Sequence, residues 1–346
     1  MTRTVLVTGV SRHIGARVAS ALAADPGIDR VIGVDTVPPA TADGVATLGR
    51  TEFVRVDLRS PDIARVIGAA DIDTVVHMSL VTAPSRSAGR SSMKEHNVIG
   101  TMQLLAACQR SPTVRRVVVR STTAVYGSSP HAPAVFTEDA EPAEVASSGY
   151  AKDATEVEAY VRGFSRRRPD VTVSTLRFVN FMGPGVDSPL TRYFTQPVVP
   201  AVFGFDPRLQ FVHEDDGVEV LRRMALEDHP GTYNVTGDGV MLLSQCVRRS
   251  GRPTVRVPSA AFRVLGEVAR GLGRVDFSPE QIALMSYGRA VDADRLCAEL
   301  DWRPKFTTAT AFDDFLHSRG LFAGAPLSVI DLLGNVGTLW GGGGKR

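Results

Sequence analysis

The chain alternates short apolar runs with segments whose apolar residues recur at helical spacing. The first run, at residues 5–7, leads into Thr8-Gly9 and is followed by an apolar periodic segment that extends to about Ala24. The next apolar run, at residues 31–34, is closed by Asp35. This order predicts a buried parallel strand, a glycine-bearing turn, a helix and a second strand with an acid at its end.

The same alternation continues along the first half of the chain. Further strands are predicted at residues 54–59, 73–78, 117–120 and 171–178, and helices at residues 94–110 and 150–167. Strands that alternate with helices form a parallel sheet covered on both faces, with ligand sites at the carboxyl ends of the strands. We therefore predict an α/β fold with a Rossmann-type doubly wound parallel sheet.

The character of the sequence changes after residue 180. Glycine and proline become more frequent, the strands shorten, and helices are predicted near residues 215–227, 260–272 and 293–300. We expect a main NAD-binding domain at residues 1–180 and a smaller mixed α/β substrate lobe at residues 181–320, with some strands returning to the main sheet. Residues 321–346 are expected to form a C-terminal tail, because they carry little signal for a core.

Composition and charge argue against several classes of partner. The 346 residues contain 39 basic and 37 acidic side chains, and a formal net charge of +2 gives no long-range attraction to nucleic acid or membrane. No apolar run approaches the roughly twenty residues that cross a bilayer, and residues 1–15 enter a core strand without a signal-peptide pattern. Cys108, Cys246 and Cys297 are far apart and lack metal-ligand spacing. We expect a soluble cytoplasmic protein without a metal site.

The glycine turn and the acid after it indicate a dinucleotide site. The turn lets a phosphate approach the backbone, and the helix N-terminus supplies free N–H groups and a partial positive charge. Asp35 follows at the spacing of a residue that accepts hydrogen bonds from the adenosine ribose. Because Asp35 would repel the 2′-phosphate of NADP and Thr36-Val37 supplies no compensating base, we predict NAD as the cofactor.

Further motifs occur in a fixed order along the chain. They lie at residues 56–59, 97–101, 121–127, 137–139, 176–185, 211–213, 233–235 and 302–304. With the glycine turn, this ordered set resembles the extended short-chain dehydrogenase/reductases, the NAD-dependent epimerase/dehydratase family, and in particular its actinobacterial UDP-glucose 4-epimerase-like members. The resemblance spans about residues 3–318.

The resemblance implies roles for individual residues. In this family a tyrosine and a serine or threonine share the substrate hydroxyl, and the tyrosine takes its proton while a hydride passes to the nicotinamide. By position these residues are Tyr150 and Thr122. The implied cofactor contacts are Gly9, Arg12, His13, Ile14, Gly15, Asp35, Asp57, Leu58, Met78, Ser79, Asn97 and Ser121. The implied substrate contacts are Thr123, Tyr126, Asn180, Arg192, Arg208 and Arg289.

Several of these residues also fit structural roles. Tyr126 and Tyr150 are compatible with packing in the core, and Asp57 is compatible with a helix cap. We interpret His213 as a structural hydrogen-bonding residue, whereas His77, at the end of the fourth predicted strand, stays open between a structural and a functional role.

The candidate arginines leave alternatives as well. Arg12 occupies the position of the middle glycine of the family's turn motif. It fits a contact with the pyrophosphate, a contact with the 2′-phosphate if the cofactor were NADP, or an exposed residue at the start of a helix. Arg192, Arg208 and Arg289 are candidate phosphate ligands, and each is equally compatible with an ordinary surface arginine.

The family's lysine is missing from the expected position. That lysine follows the tyrosine by one helical turn, lowers the pKa of the phenol and holds the nicotinamide ribose, but its position here is Ala154. Lys152 lies about 200° around a regular helix from Tyr150 and faces away from it. A free phenol has a pKa of about 10, so roughly one in a thousand is ionised at neutral pH. Three solutions stay open: a later helix start that bends Lys152 back, another cation, or slow or absent hydride chemistry.

Other motif positions bear on the substrate. Sugar-nucleotide 4,6-dehydratases carry Asp-Glu after the catalytic threonine, where this chain has Thr123-Ala124, so elimination of water is not expected. Leu209 stands where nucleotide-sugar enzymes tend to place an arginine for the diphosphate. Arg208 is predicted to point to the opposite face of its strand.

We predict an NAD-dependent epimerase or oxidoreductase that acts on a secondary alcohol, with a nucleotide sugar such as a UDP-sugar as substrate. The missing diphosphate arginine favours a steroid or lipid-like alcohol as an alternative, and Ala154 favours a weakly catalytic NAD-binding sensor or scaffold. By analogy with the family, the helices at residues 94–110 and 150–167 are expected to build a homodimer interface.

Overall fold

The structure, a computed structural model, describes residues 3–39, 48–81, 89–142, 149–258 and 279–321. The strands are β1 (Thr4–Thr8), β2 (Arg30–Asp35), β3 (Glu52–Arg55), β4 (Thr74–His77), β5 (Arg116–Thr122), β6 (Thr172–Phe178), β7 (Asn180–Met182), β8 (Val199–Val202), β9 (Arg208–Leu209), β10 (Phe211–His213), β11 (Gly231–Val235), β12 (Met241–Leu242) and β13 (Thr254–Val257). The helices are α1 (His13–Ala24), α2 (Asp62–Ala69), α3 (Gly89–Lys94), α4 (Gly100–Arg110), α5 (Gly149–Arg167), α6 (Pro189–Phe194), α7 (Glu214–Leu226), α8 (Leu243–Ser250), α9 (Pro279–Tyr287), α10 (Asp294–Leu300) and α11 (Thr308–Ser318).

Seven parallel strands form the central sheet in the order β11-β6-β5-β4-β1-β2-β3. The direction of winding reverses between β1 and β4, so the connections after these two strands part and leave a crevice at their carboxyl ends. The Rossmann-type doubly wound sheet predicted from the sequence is therefore confirmed. Strand β11 comes from the C-terminal half of the chain and joins the edge of the sheet beside β6.

Alternate residues of β1 point to opposite faces of the sheet, as the two-residue period of a strand requires. Val5 and Val7 pack in the core that includes α1 and α7, whereas Leu6 packs with α2, α4 and α5 on the other face. All three side chains are fully buried. Burial on both faces explains why this strand is a continuous apolar run rather than an alternating one.

A separate hydrophobic core lies in the C-terminal half of the chain. It contains Phe194 of α6, Phe211 of β10 and Phe312 of α11, and the rings of Phe211 and Phe312 stack at 5.5 Å between centroids. The short strands pair as β10 with β7, β12 with β9 and β13 with β8. Strand β7 follows β6 after a single residue, which connects this core directly to the carboxyl end of the main sheet.

Two predicted boundaries are wrong. Strand β3 ends at Arg55 rather than at residue 59, because the carboxylate of Asp57 accepts a hydrogen bond from the backbone N–H of Arg59 at 2.9 Å and turns the chain. Helical structure begins at Gly89 rather than at residue 94, and a π-helical turn at Glu95–Ile99 separates α3 from α4. The predicted helix at residues 260–272 and the tail beyond residue 321 lie outside the described residues.

Among the described residues, no helix combines the length and apolarity needed to span a membrane.

His77 ends β4 and is held in its neutral form. Its Nδ1 lies 2.9 Å from Oγ1 of Thr8, and its Nε2 lies 2.8 Å from Oγ1 of Thr101. Thr101 donates its own proton to the carbonyl of Asn97, so Nε2–H of His77 donates to Thr101. Thr8 already accepts from the backbone N–H of Met78, so it donates to Nδ1. Burial lowers the pKa of His77 to about 3, which supports a structural role for this residue.

We expect His77 to make the protein sensitive to acid. The unfolded chain binds the imidazole proton near the ordinary pKa of 6.5, whereas the folded chain binds it only near 3. Between these values the unfolded state holds more protons, so the free energy of unfolding falls as the pH drops, by about 1.4 kcal/mol per pH unit from this residue. Urea unfolding between about pH 6 and pH 4 should show a shallower dependence in His77→Gln.

The matched control for this prediction is His131→Gln, because His131 is exposed. This variant should keep the pH dependence of the wild type. An equally steep dependence in His77→Gln and the wild type would mean that other groups cause the acid sensitivity.

Candidate functional site

A cavity of about 280 Å³ opens at the carboxyl end of the central sheet, where the winding reverses. Its walls come from the glycine turn, from the ends of β4, β5 and β6, and from the segment after β7. They are formed by Arg12, His13, Ile14, Gly15, Met78, Leu80, Arg120, Ser121, Thr122, Tyr150, Phe178, Val179, Asn180, Phe181, Val186, Asp187, Ser188, Pro189, Leu190 and Gln281. Among the described residues, no three His, Cys, Asp or Glu side chains are grouped so as to hold a metal ion.

The turn between β1 and α1 leaves no room for side chains at two glycines. Gly9 has a φ of +75°, and a Cβ there would lie 3.1 Å from the carbonyl carbon of Met78. A Cβ on Gly15 would lie 2.2 Å from the carbonyl oxygen of Gly9. The N-cap residue Arg12 offers no side-chain hydrogen bond to the first N–H groups of α1, so these groups are available to an anion. The turn therefore fits a dinucleotide pyrophosphate.

Asp35 is fixed beside this turn, whereas Asp57 is bound to its own neighbour. The carboxylate of Asp35 accepts hydrogen bonds from the backbone N–H of Ser11 at 3.0 Å and of Thr36 at 2.7 Å. Asp57 accepts from the guanidinium of Arg59, and these hydrogen bonds lower the pKa of Asp57. Asp35 thus has the position expected of a ribose ligand, whereas Asp57 shares its carboxylate with Arg59.

Of the other predicted cofactor contacts, Met78 lines the cavity, whereas Leu58 and Ser79 do not. Leu58 is buried, and Ser79 is buried with its hydroxyl donated to Thr8 at 2.9 Å. His96, on the π-helical turn, was missed by the sequence analysis, and burial lowers its pKa although Asp35 is near enough to oppose the shift. A π-helical turn of this kind often marks a functional site.

Tyr150 lines the cavity together with Thr122, and its side chain is hydrogen-bonded to the guanidinium of Arg289. Arg289 also donates to the carbonyl of Gly127 at 3.2 Å and lies 3.4 Å from Oγ of Ser128. Burial lowers the pKa of Arg289, and attraction to Tyr150 opposes that shift. An arginine stays protonated in proteins, so a cation lies beside the phenol. From the sequence, Arg289 was considered a phosphate ligand or an ordinary surface arginine, and its place beside Tyr150 was not expected.

The position of the missing lysine is enclosed, and Lys152 does not line the cavity. Helix α5 begins at Gly149, so Tyr150 already lies in its first turn and the later start considered above is not found. In a regular helix Lys152 lies about 200° around the axis from Tyr150. Ala154 is fully buried and packs in the core.

A buried carboxylate stands next to Ala154. The two oxygens of Asp153 accept hydrogen bonds from Arg90 at 2.7 and 2.6 Å, and Nδ2 of Asn97 donates to Asp153 at 3.1 Å. Asn97 also donates to the carbonyl of Val81 at 3.0 Å. The amide of Asn97, a predicted cofactor contact, is therefore engaged with α5 and with the backbone after β4, and it does not line the cavity.

Two other predicted residues belong to a buried cluster built on an ion pair. Arg177 and Glu158 approach to 2.7 Å, and the hydroxyl of Ser121 donates to Glu158 at 2.6 Å. Arg177 donates to the oxygen of Tyr126 at 2.8 Å, and Tyr126 donates to Asn234 at 2.8 Å. Ser121 lines the cavity with its hydroxyl engaged, whereas Tyr126 is only 1% exposed and packs in the core.

The remaining substrate candidates are mostly outside the cavity. Asn180 lines it, but Thr123 is buried elsewhere. Arg192 forms an exposed bidentate pair with Asp187 at 2.7 and 2.6 Å. Arg208 is exposed on β9. Its neighbour Leu209 is buried, as the alternation along a strand predicts.

His13 connects the glycine turn to α7. Its Nε2 is hydrogen-bonded to the carboxylate of Glu214, which also accepts from the backbone N–H of Gly185 at 3.0 Å. A Cβ on Gly185 would lie 2.1 Å from Cε1 of His13, so a larger residue there would displace the His13 ring. Burial alone would raise the pKa of Glu214, but the bonds from His13 and Gly185 and the charge of Arg17 lower it. The side chain of His13 is thus engaged, and its backbone N–H stays a predicted phosphate contact.

Arg120 is a cavity residue that the sequence analysis missed. It lies near the end of β5, where burial lowers its pKa to about 10. Its Nε is enclosed without a hydrogen-bond partner, its Nη1 lies 3.5 Å from the carbonyl of Leu80, and its guanidinium lies 5.4 Å from the ring centre of Phe181. The available signal was a charged residue directly after the apolar run 117–119 of a predicted buried strand.

Comparison with known proteins identifies the family of the chain and solved structures with the same fold. The model of the NAD dependent epimerase/dehydratase family matches residues 5–236. An uncharacterized protein of Mycobacterium tuberculosis is 46% identical over 319 residues, which cover 92% of this chain and 85% of that protein.

Two solved structures share the fold at low sequence identity. A dTDP-glucose 4,6-dehydratase of Bacillus anthracis in complex with NAD is 18% identical, with a TM-score of 0.70 over 92% of this chain and 97% of that one. A UDP-glucuronic acid 4-epimerase of Bacillus cereus in complex with UDP-4-deoxy-4-fluoro-glucuronic acid and NAD is also 18% identical, with a TM-score of 0.70 over 91% and 98%.

Proposed function

The chain belongs to the NAD-dependent epimerase/dehydratase family, and from this premise we propose that it is an NAD-dependent enzyme acting on a secondary alcohol. The observation that carries the proposal is the hydrogen bond between Tyr150 and Arg289 at a cavity that also contains Thr122. A phenol, a cation and a second hydroxyl are then available together to one substrate oxygen. This combination supports the second of the three solutions to the missing lysine, another cation.

In this proposal Tyr150 moves the substrate proton. It accepts the proton of the alcohol during oxidation and returns it during reduction, while Thr122 holds the same oxygen by a hydrogen bond. Arg289 stabilises the phenolate, because opposite charges about 4 Å apart contribute on the order of 4 kcal/mol at intermediate dielectric. NAD, when bound, accepts the hydride and can give it back.

The residues around the turn are proposed to hold the cofactor. Gly9 and Gly15 leave the backbone open to the pyrophosphate, and the N-terminus of α1 supplies N–H groups and a partial positive charge. Asp35 receives the adenosine ribose and disfavours NADP by charge repulsion. Ile14 and Met78 border the same path along the cavity.

Two substrate classes are supported by different observations. A UDP-sugar is the first candidate, because the Bacillus cereus epimerase of the same fold binds one. An apolar alcohol is the second, because Leu209 is buried at the position of the diphosphate arginine and the cavity includes Leu80, Phe178 and Phe181. Turnover of one class and not the other decides between them.

A second candidate function is NAD binding with little catalysis. It is favoured by the buried Ala154, since the lysine at this position holds the nicotinamide ribose in catalytic members of the family. It is also favoured by the engagement of Asn97, a predicted cofactor contact, with Asp153. NAD binding without turnover of either substrate class supports this candidate.

We expect Tyr150 and Arg289 to act together in turnover. With NAD and a panel of UDP-hexoses, UDP-glucuronate and apolar secondary alcohols, Tyr150→Phe should lose at least about a hundredfold in kcat. Arg289→Met should lose about ten- to a hundredfold in kcat with little change in KM, because it removes phenolate stabilisation rather than substrate binding. Product formation is followed by chromatography and by NADH absorbance.

Two further variants control this experiment. Arg289→Lys keeps the positive charge and should retain most of the activity, and Arg65→Met removes an exposed arginine paired with Asp62 and should match the wild type. Full activity of Arg289→Met would overturn the assigned role of the cation.

We also propose a homodimer built on α4 and α5. Ile99 and Met102 are 43% and 41% exposed at the start of α4, and Tyr160 on α5 is 40% exposed, which leaves apolar surface on neighbouring helices. Light scattering at micromolar concentration should give twice the mass of the chain, and Met102→Glu should shift it toward the monomer. A monomeric wild type contradicts this proposal.

A further inference from the structure

We propose that Arg120 is a phosphate-binding residue of the dinucleotide site, which together with Arg12 holds the pyrophosphate of NAD from the cavity side. This inference rests on the proposed function, because it takes the cavity as the place where NAD binds. It assigns a role to a half-buried cation near the end of β5 that the chemistry at Tyr150 does not use.

The guanidinium of Arg120 has incomplete hydrogen bonding within the described part of the protein. Among the described residues its Nε has no partner, and its hydrogen bond to the carbonyl of Leu80 is long at 3.5 Å. The ring of Phe181 gives partial compensation at 5.4 Å. A guanidinium has five N–H donors in a planar fork, so Arg120 can still donate to a ligand that enters the cavity. A half-buried charge with an enclosed, unpartnered N–H costs stability unless a ligand supplies the missing partner.

Two other ionisable side chains of the cavity have partners that can carry the opposite charge. Asp187 is engaged by Arg192, and His13 is engaged by Glu214. Within the described residues, no carboxylate lies within ion-pair distance of Arg120. The cavity therefore presents an excess positive charge at Arg120, and the group that fits is an anion that accepts two or more hydrogen bonds.

Arg12 locates that anion relative to the glycine turn. Arg12 is the N-cap of α1 and stands where the family's motif has its middle glycine, which allows the closest approach of backbone to pyrophosphate. Its own N–H donates to the carbonyl of Gly9 at 3.3 Å. With a side chain at this position, the pyrophosphate has to lie farther from the backbone, toward the cavity.

The two arginines are close enough to disfavour each other. Burial is the main cause that lowers the pKa of Arg120, and the positive charge of Arg12 is the second. The negative charge of Asp35 partly offsets the charge of Arg12, but among the described residues no carboxylate does the same for Arg120. An anion between two guanidinium groups turns this repulsion into two charge-assisted contacts. A pyrophosphate at the N-terminus of α1 has the charge and the oxygen count that this arrangement needs.

The test is titration calorimetry of NAD and of ADP-ribose, which keeps the pyrophosphate but lacks the nicotinamide ring. Arg120→Met should weaken both ligands by about tenfold or more, and the salt dependence of binding should become shallower because one charge contact is lost. Arg120→Lys keeps the charge without the planar fork, so its affinity for both ligands should lie between those of the wild type and Arg120→Met.

Arg116 offers a matched control on the same strand. It lies at the opposite end of β5, and its guanidinium is satisfied by Asp228 at 2.5 Å and by the carbonyl of Ala225 at 3.0 Å. Arg116→Met should lower the unfolding temperature and leave NAD binding unchanged. Arg120→Met should do the reverse: the ligand-free variant should be at least as stable as the wild type, because it no longer buries an unpaired charge.

The outcomes separate the possible failures. Unchanged affinity of Arg120→Met for NAD overturns the inference, and so does a loss for NAD without a loss for ADP-ribose, which places Arg120 at the nicotinamide. If Arg120→Met does not fold, Arg120→Gln, which also removes the charge, gives the same comparison. A wild type that binds neither ligand overturns the proposed function itself.

Discussion

The proposed chemistry depends on one pairing, a phenol next to a cation. A tyrosine without such a neighbour is almost fully protonated at neutral pH and is a poor base. In this chain the neighbour of Tyr150 is Arg289, which comes from the segment after α9 rather than from α5. Because the guanidinium approaches from the C-terminal half of the chain, assembly of the acid–base pair requires that half to be packed against the main sheet.

The contacts of α5 after Tyr150 are consistent with a cation that comes from outside this helix. Ala154, at the position of the family's lysine, is fully buried. The preceding residue, Asp153, accepts hydrogen bonds from Arg90 and Asn97. Ala154 packs among apolar side chains, so a lysine at this position would have to enter the hydrophobic core. Helix α5 therefore carries Tyr150 in its first turn, and Asp153 and Ala154 of the same helix make structural contacts. The cation beside Tyr150, Arg289, comes from another segment of the chain.

The sequence was sufficient for the parts of the fold that depend on periodicity. The family resemblance and the parallel sheet are confirmed, because buried strands and amphipathic helices leave regular patterns. The boundary at Asp57 was wrong, since a side-chain hydrogen bond to Arg59 ended the strand earlier than its apolar pattern suggested. Contacts between distant residues leave no local pattern, so neither the pairing of Tyr150 with Arg289 nor the exposure of Arg120 to the cavity was predictable from spacing.

The central claim is that Arg289 favours the ionised form of Tyr150, and titration of the phenol tests it without a substrate. The ring carbon bonded to the hydroxyl is labelled with carbon-13 in all tyrosines of the NAD-bound protein, and the Tyr150 signal is identified by its loss in Tyr150→Phe. We expect Tyr150 to ionise below the ordinary pKa of about 10 and Arg289→Met to move this ionisation to higher pH. An identical titration in the wild type and in Arg289→Met would contradict the claim.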